Sequence, residues 1–297
     1  MIDKVVIPLD GSVTAEIALP YGEEFIGRRK DAELILLFVK EPQDYRSENI
    51  IQAYLDSLVK KSGKAAMAYA EGSVQPNFKI TTKILTGQPA EQILNFVENL
   101  EGGRIIMASH GQSGVGTRWT LGSVADKVSR ATTKPITMIR ADREKPAIHP
   151  KGILHTILVP LDGSKRAEIT LPYVKETALL LKAEVVLLQV LQIQLVTYKM
   201  IPVPVPEETK KAAREYLEGL VEEFKKDGIN ARFEIWETRG DVAGEIVEYT
   251  EKKLVDLVVM STHGHTGPSR WIMGSVSNKV LRQGNAPLML IRNPAEK

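Results

Sequence analysis

The 297-residue chain contains no cysteine. That absence excludes disulfides, thiolate metal sites and a cysteine nucleophile, and it fits a reducing compartment. No apolar run approaches the roughly 20 residues that a membrane-spanning helix needs. The opening MIDKVVIPLD lacks the long apolar core of a signal peptide. A soluble, cytoplasmic protein with no membrane contact is therefore expected. Charge of one sign is missing as well: 39 Lys and Arg against 37 Asp and Glu leave a net charge of +2, with the signs mixed along the chain. That gives neither the basic field that nucleic-acid binding requires nor an acidic tail, so no nucleic-acid partner is expected. What the chain does have is length and apolar content: 43% apolar residues over 297 positions suffice for two domains, each with its own core.

The chain is a repeat. VVIPLDGSVTAEIALPY at 5–21 recurs as ILVPLDGSKRAEITLPY at 157–173. Asp10 pairs with Asp162, Gly122-Ser123 with Gly274-Ser275 and Pro135 with Pro287, all at an offset of 152, whereas His110 pairs with His263 at 153. A period this long means two copies of a whole domain. Asp142–Gly152, DREKPAIHPKG, is charged, carries two prolines and reads as an exposed linker. The expected domains are 1–142 and 153–297.

Each copy alternates strand-like and helix-like stretches. In the first copy, strands are expected at Val5–Leu9, Leu34–Val39, Phe78–Leu85, Arg104–Ala108 and Ile136–Ile139. Ser12 is placed to cap a helix running to Ile26, Ser47–Glu71 reads as a long helix ended by Gly72, and Pro89 opens a helix to Leu100. The second copy repeats the strands at Thr156–Pro160, Val185–Val190, Arg232–Glu237, Leu257–Met260 and Leu288–Ile291. Leu191–Pro206, with IPVPVP at 201–206, reads as a long proline-rich connection: a lid, a partner-binding strip or, equally, an irregular loop with no role. Alternation over five strands implies an α/β fold, two doubly wound domains with a parallel sheet flanked by helices. If the order is 3-2-1-4-5, the winding reverses between the first and fourth strands. Ligands bind at such a reversal, outside the carboxyl ends of the strands.

The motifs converge on that point. Asp10 and Asp162 end the first strands. HGQSGVGTRWTLGS (110–123) and HGHTGPSRWIMGS (263–275) follow the fourth strands and lead into helices over Val124–Ala131 and Val276–Gln283. A glycine-rich loop that opens a helix brings backbone N–H groups and the positive end of the helix dipole to one place, which suits a phosphate. Arg118 and Arg270 could add charge, and magnesium between Asp10 or Asp162 and the phosphates would relieve repulsion. Each feature also has an ordinary reading. Asp-Gly-Ser after a strand is common turn chemistry. Trp119 and Trp271 read as packing residues, and His110 and His263 as partners of loop backbone rather than catalysts. His263-Gly-His265 lacks a third ligand for zinc. Thr117-Arg118 stands where a P-loop needs Lys-[Ser/Thr], Trp119 where a dinucleotide fingerprint needs glycine, and Val115 where a nucleophile elbow needs glycine. No catalytic residue is assigned.

On these motifs both halves resemble universal stress protein domains: PLDGS at 8–12 and 160–164, SHG or THG after the fourth strand, and Gly-Ser before the next helix. The ATP-binding members of that family carry G-x2-G-x9-G-[S/T]. The second copy reads Ser261-x2-Gly264-x9-Gly274-Ser275, and the first reads Ala108-x2-Gly111-x10-Gly122-Ser123, one residue longer. The resemblance implies an adenine nucleotide alpha hydrolase-like fold and a stress-response module that binds ATP, ADP or AMP with magnesium. A slow ATPase or nucleotidyl-transfer enzyme and a nucleotide-free scaffold are the alternatives.

The family's site positions carry over onto Pro8, Asp10 and Val39 in the first copy, with Met107, Ala108, Gly111, Gly122, Ser123 and Val124 around the loop. In the second copy they fall on Pro160, Asp162 and Val190, with Met260, Ser261, Gly264, Gly274, Ser275 and Val276, and Arg270 is added as a phosphate contact. Asp10 and Asp162 are the metal candidates. Val39 and Val190 line the adenine. The inserted residue in the first loop ranks the second copy as the better site. The fifth strands resemble a dimerisation edge. Internal pairing of the two domains is expected there, through Ile136–Ile139 and Leu288–Ile291, and a homodimer is possible. A downstream protein partner is not identified.

Overall fold

The structure, a computed structural model, describes residues 3–70, 77–111, 120–140, 146, 152–196, 201–263 and 273–292, the side chains of 194–196 and 201–203 apart. The chain divides into two compact units, Met1–Ile153 and Leu154–Lys297.

The first unit runs β1 (Lys4–Leu9), a 3-10 turn (Ala15–Ala18), α1 (Leu19–Gly27), β2 (Glu33–Lys40), α2 (Glu48–Ala68), β3 (Lys79–Thr86), α3 (Pro89–Glu98), β4 (Gly103–Ala108), α4 (Ser123–Ala131) and β5 (Ile136–Ile139). Its strands lie in the order β3-β2-β1-β4-β5. All pairings are parallel, with Val5 beside both Leu34 and Arg104, and Ile105 beside Ile136. Val5, Val6 and Ile7 are fully buried. A central parallel strand is covered on both faces, which is why it reads as a continuous apolar run rather than an alternating one. Helices supply the cover through one stripe: α4 buries Ala125, Val128 and Ser129, the spacing of a single helix face.

The second unit repeats the plan with β6 (Thr156–Pro160), α5 (Lys165–Glu168), α6 (Leu171–Leu181), β7 (Glu184–Gln192), β8 (Gln194–Val196), β9 (Ile201–Val203), α7 (Glu207–Lys226), β10 (Ala231–Thr238), α8 (Val242–Lys252), β11 (Leu257–Ser261), α9 (Ser275–Gln283) and β12 (Leu288–Ile291). Its sheet order is β10-β7-β6-β11-β12, again all parallel. The order 3-2-1-4-5 therefore holds in both halves.

Three expectations change in detail. The helix expected from Ser12 to Ile26 is broken into a 3-10 turn and α1, and its counterpart into α5 and α6. Pro20 and Pro172 sit in the first turns of α1 and α6, where a missing N–H costs nothing. The long helix stops at Ala68, with Tyr69 as its cap, before the expected Gly72, which lies outside the described residues. The connection after β7 is not wholly irregular: β8 and β9 pair antiparallel, Gln194 beside Val203. Among the described residues no helix is long and apolar enough to cross a membrane.

Candidate functional site

In each half the winding reverses between two adjacent parallel strands, β1 and β4 or β6 and β11, and the two repeated motifs stand at their carboxyl ends. The first motif is a tight turn. Gly11 (φ 89°) and Gly163 (φ 80°) take a left-handed backbone that a side chain would strain. Oδ1 of Asp10 accepts the Ser12 N–H at 2.9 Å and the Ser12 hydroxyl at 2.6 Å. Asp162 and Ser164 repeat this at 3.0 and 2.6 Å. Each serine oxygen in turn accepts the N–H three residues on, Ala15 or Ala167, at 3.1 Å. The turn and the start of the following helix are thus one hydrogen-bonded unit.

The second motif meets the first directly. A Cβ placed on Gly111 would lie 2.2 Å from Oδ2 of Asp10, so glycine is what lets the carboxylate lie against this loop. Downstream, Gly122 and Gly274 cap α4 and α9, and neither helix start receives a side-chain cap. The Gly122 N–H donates to the Ser109 carbonyl and the Gly274 N–H to the Thr262 carbonyl, both at 2.8 Å, which fixes each helix start beside its strand end. α2, α5 and α8 are capped by Ser47, Ser164 and Asp241, whereas α1, α3, α6 and α7 also start without a side-chain cap. An uncapped start bordering a cavity suits an anion.

Such cavities are present. In the first half about 330 Å3 is enclosed where Pro8 and Asp10 end β1 and Val39 ends the lining from β2; Met107, Ala108 and Gly111 close the β4 side, and Gly122, Ser123 and Val124 form the helix start. All nine positions named from the sequence border this one space. In the second half about 160 Å3 is lined by Pro160, Asp162 and Val190 on one side, and by Met260, Ser261, Gly274, Ser275 and Val276 on the other. Gly264 and Arg270 lie outside the described residues, as do Arg118, Trp119, His265 and Trp271. The larger space belongs to the first half, although the loop length had favoured the second.

Sequence reasoning missed several wall residues. Pro89 and Ile93 of α3, and Val242 and Ile246 of α8, supply an apolar wall at matching places. Their common offset of 153 was a usable signal. Glu41, Asp44 and Arg46, beyond β2, were also missed and have no such signal. Arg46 donates from Nε and Nη2 to both Asp44 oxygens, at 2.6 to 3.0 Å, and from Nη1 to the Asp10 carbonyl at 3.1 Å. Its hydrogen bonds to Asp44 hold that carboxyl well below the usual range, at about 2.

The histidines make local contacts. His110 and His263 meet neighbouring hydroxyls, with Ser109 Oγ and Thr262 Oγ1 each 3.1 Å from Nδ1. The two halves also differ at the first loop position: the Ser261 hydroxyl bonds to the His263 carbonyl, while Ala108 has no such group. Among the described residues no group of three or more His, Cys, Asp or Glu could hold a metal ion. Asp10 and Asp162 each offer one carboxylate at the cavity wall, and magnesium commonly takes one or two carboxylates together with phosphate oxygens.

The sequence profile of the universal stress protein family matches residues 1–140 and 154–292. The universal stress protein MJ0531 of Methanocaldococcus jannaschii is 33% identical over 93 residues, covering 31% of this chain and 54% of that protein. The chain thus spans about half the length of that relative. The universal stress protein MJ0577 of the same organism is 28% identical over 151 residues, 46% of this chain and 93% of the relative. A crystal structure of a universal stress protein from Archaeoglobus fulgidus is similar in fold over 98% of this chain and 99% of its own, with a TM-score of 0.68 at 20% identity.

Proposed function

The chain belongs to the universal stress protein family, and from that premise we propose that it is a stress-response module that binds an adenine nucleotide, ATP or its ADP or AMP forms, with magnesium, in the cavity between the first and fourth strands of one or both halves. One observation carries the reading: the uncapped start of α4, Gly122–Val124, borders the same space as the Asp10 turn and an apolar wall. A phosphate needs the first of these and a base needs the last.

The roles follow from the chemistry of each group. First-turn N–H groups at Ser123 and Val124, or Ser275 and Val276, take phosphate oxygens, and the helix field adds about 0.3–1 kcal/mol, more where partly buried. Val39 with Met107, and Val190 with Met260, give the base an apolar surface. Asp10 and Asp162 each present a carboxylate to the metal or the sugar. Magnesium, when bound, neutralises phosphate charge beside that carboxylate. A cavity of about 330 Å3 falls within the roughly 300–1,000 Å3 of small-molecule sites. Nucleotide occupancy, rather than turnover, is the signal this arrangement supports.

Mass spectrometry of freshly purified, denatured protein tests the reading, together with calorimetric titration of nucleotide-free protein with ATP and magnesium. Released adenine nucleotide and saturable binding, lost in a Gly122→Val, Gly274→Val double variant, are expected. Protein that releases nothing and takes up no ATP would retire the reading.

A further inference from the structure

Resting on the nucleotide reading of the cavity, we propose that Arg46 is a positioning residue of the first-half site, bracing the Asp10 turn from the side of the second strand. The geometry is a three-way clasp. Both Asp44 oxygens receive the Arg46 fork, and the Arg46 N–H also donates to Asp44 Oδ1 at 3.0 Å. The guanidinium lies over the Phe38 ring, 5.0 Å from its centroid. The remaining direction is taken by the bond from Nη1 to the Asp10 carbonyl. Asp10 is thus held at its carboxylate by Ser12 and at its carbonyl by Arg46. A planar guanidinium can meet a carboxylate, a carbonyl and a ring face at once; an ammonium cannot.

The second half differs in sequence at these places. Its Asp162 turn keeps the serine bonds. Its second strand, however, carries Gln189 where β2 carries Phe38, and 193–206, between β7 and α7, contains no arginine. The first cavity, whose wall includes Asp44 and Arg46, holds about 330 Å3 against about 160 Å3 in the second. Asp44 stays ionised far below neutral pH, so the clasp persists across the range in which a cell operates.

The clasp orders the turn more than it stabilises the fold. The Arg46 side chain is 37% exposed, and exposed ion pairs contribute little to folding. Removing it should therefore cost affinity and leave the thermal midpoint nearly unchanged. ATP with magnesium is titrated calorimetrically into Gly274→Val protein, in which only the first half can bind, and into Gly122→Val protein, in which only the second can. In the first background, Arg46→Ala should weaken binding by about tenfold, the scale of losing one charge-assisted hydrogen bond. Arg46→Lys should recover part of the loss, because an ammonium can still reach the Asp10 carbonyl. Adenosine should lose the same factor as ATP, since the turn and not a phosphate contact is what changes. In the second background Arg46→Ala should have no effect. Unchanged affinity in the first background, or an equal loss in both, would overturn the inference. Wild-type protein that binds no ATP would instead remove the nucleotide reading itself, and this inference with it.

Discussion

The Asp10 carboxylate lies where a side chain on Gly111 would stand: a Cβ there would come within 2.2 Å of Asp10 Oδ2. Two motifs about a hundred residues apart are therefore in direct contact, and the contact depends on a hydrogen standing where a methyl group would be.

Gly111→Ala should displace the Asp10 carboxylate and break its bonds to Ser12, since the side chain is the part free to move. Hydrogen bonds to a charged group contribute about 1.5–3 kcal/mol, so nucleotide affinity of the first half should fall at least tenfold. Titration in a Gly274→Val background isolates that half. Wild-type affinity there would show that Asp10 does not face the ligand.

Gly274→Val should abolish binding in the second half. Its Cβ would sit 3.1 Å from the Thr262 carbonyl oxygen, and the two methyl groups beyond it would enter the space beside the start of α9. If both halves bind, the number of ATP molecules per chain should drop by one. An unaltered stoichiometry at two sites would count against that placement.

Asp44 predicts a pH dependence of known sign. Its carboxyl titrates at about 2 in the folded chain, below the roughly 3.9 of an unperturbed aspartate. A depressed folded value means that whatever this exposed pair adds to stability, which is little, is complete above the unfolded value and is lost as pH falls through about 4 towards 2. Carbon NMR of the Asp44 carboxyl should show this low midpoint, and Arg46→Ala should return it to the ordinary range. A midpoint that ignores Arg46 would show that the clasp is not formed in solution.

Gly152→Ala should destabilise the fold without touching the cavity. Gly152 has φ 97°, and a Cβ there would meet Glu24 Oε1 at 2.0 Å and Arg28 Nη2 at 2.6 Å. Glu24 is completely buried, bonded to Arg28 Nε and to the Ile153 N–H, both at 3.0 Å. Disturbing a buried pair and forcing alanine into a left-handed backbone should together cost about 3 kcal/mol or more. Thermal unfolding would register it, and a midpoint equal to wild type would mean that this anchoring is absent in solution.

Much of this was legible in the chain. Strand positions came from apolar runs such as Val5–Leu9, and the alternation of strand and helix with the handedness rule left few topologies, the order 3-2-1-4-5 among them. Periodicity marked the fold because burial on both faces of a parallel sheet leaves a direct trace in composition. Duplication made the site stand out, since Asp10 and Gly122 recur with their spacing kept. Boundaries were less legible. Proline at the second position of α1 and α6 divides each first helix, an effect of one missing N–H that an amphipathic pattern does not show.

Arg46 was invisible for a different reason. Its partners Asp44, Phe38 and the Asp10 carbonyl lie two, eight and thirty-six positions away, and no local rule relates them. By itself the sequence determined that there are two copies of a five-stranded α/β unit and which loops meet at the strand ends, because periodicity, glycine and capping chemistry act within a few residues. Only the tertiary structure decided how the two cavities differ. Side chains meet there across the sheet: a guanidinium finds a ring, a carboxylate and a carbonyl in the first half, and in the second a serine hydroxyl turns back on its own loop.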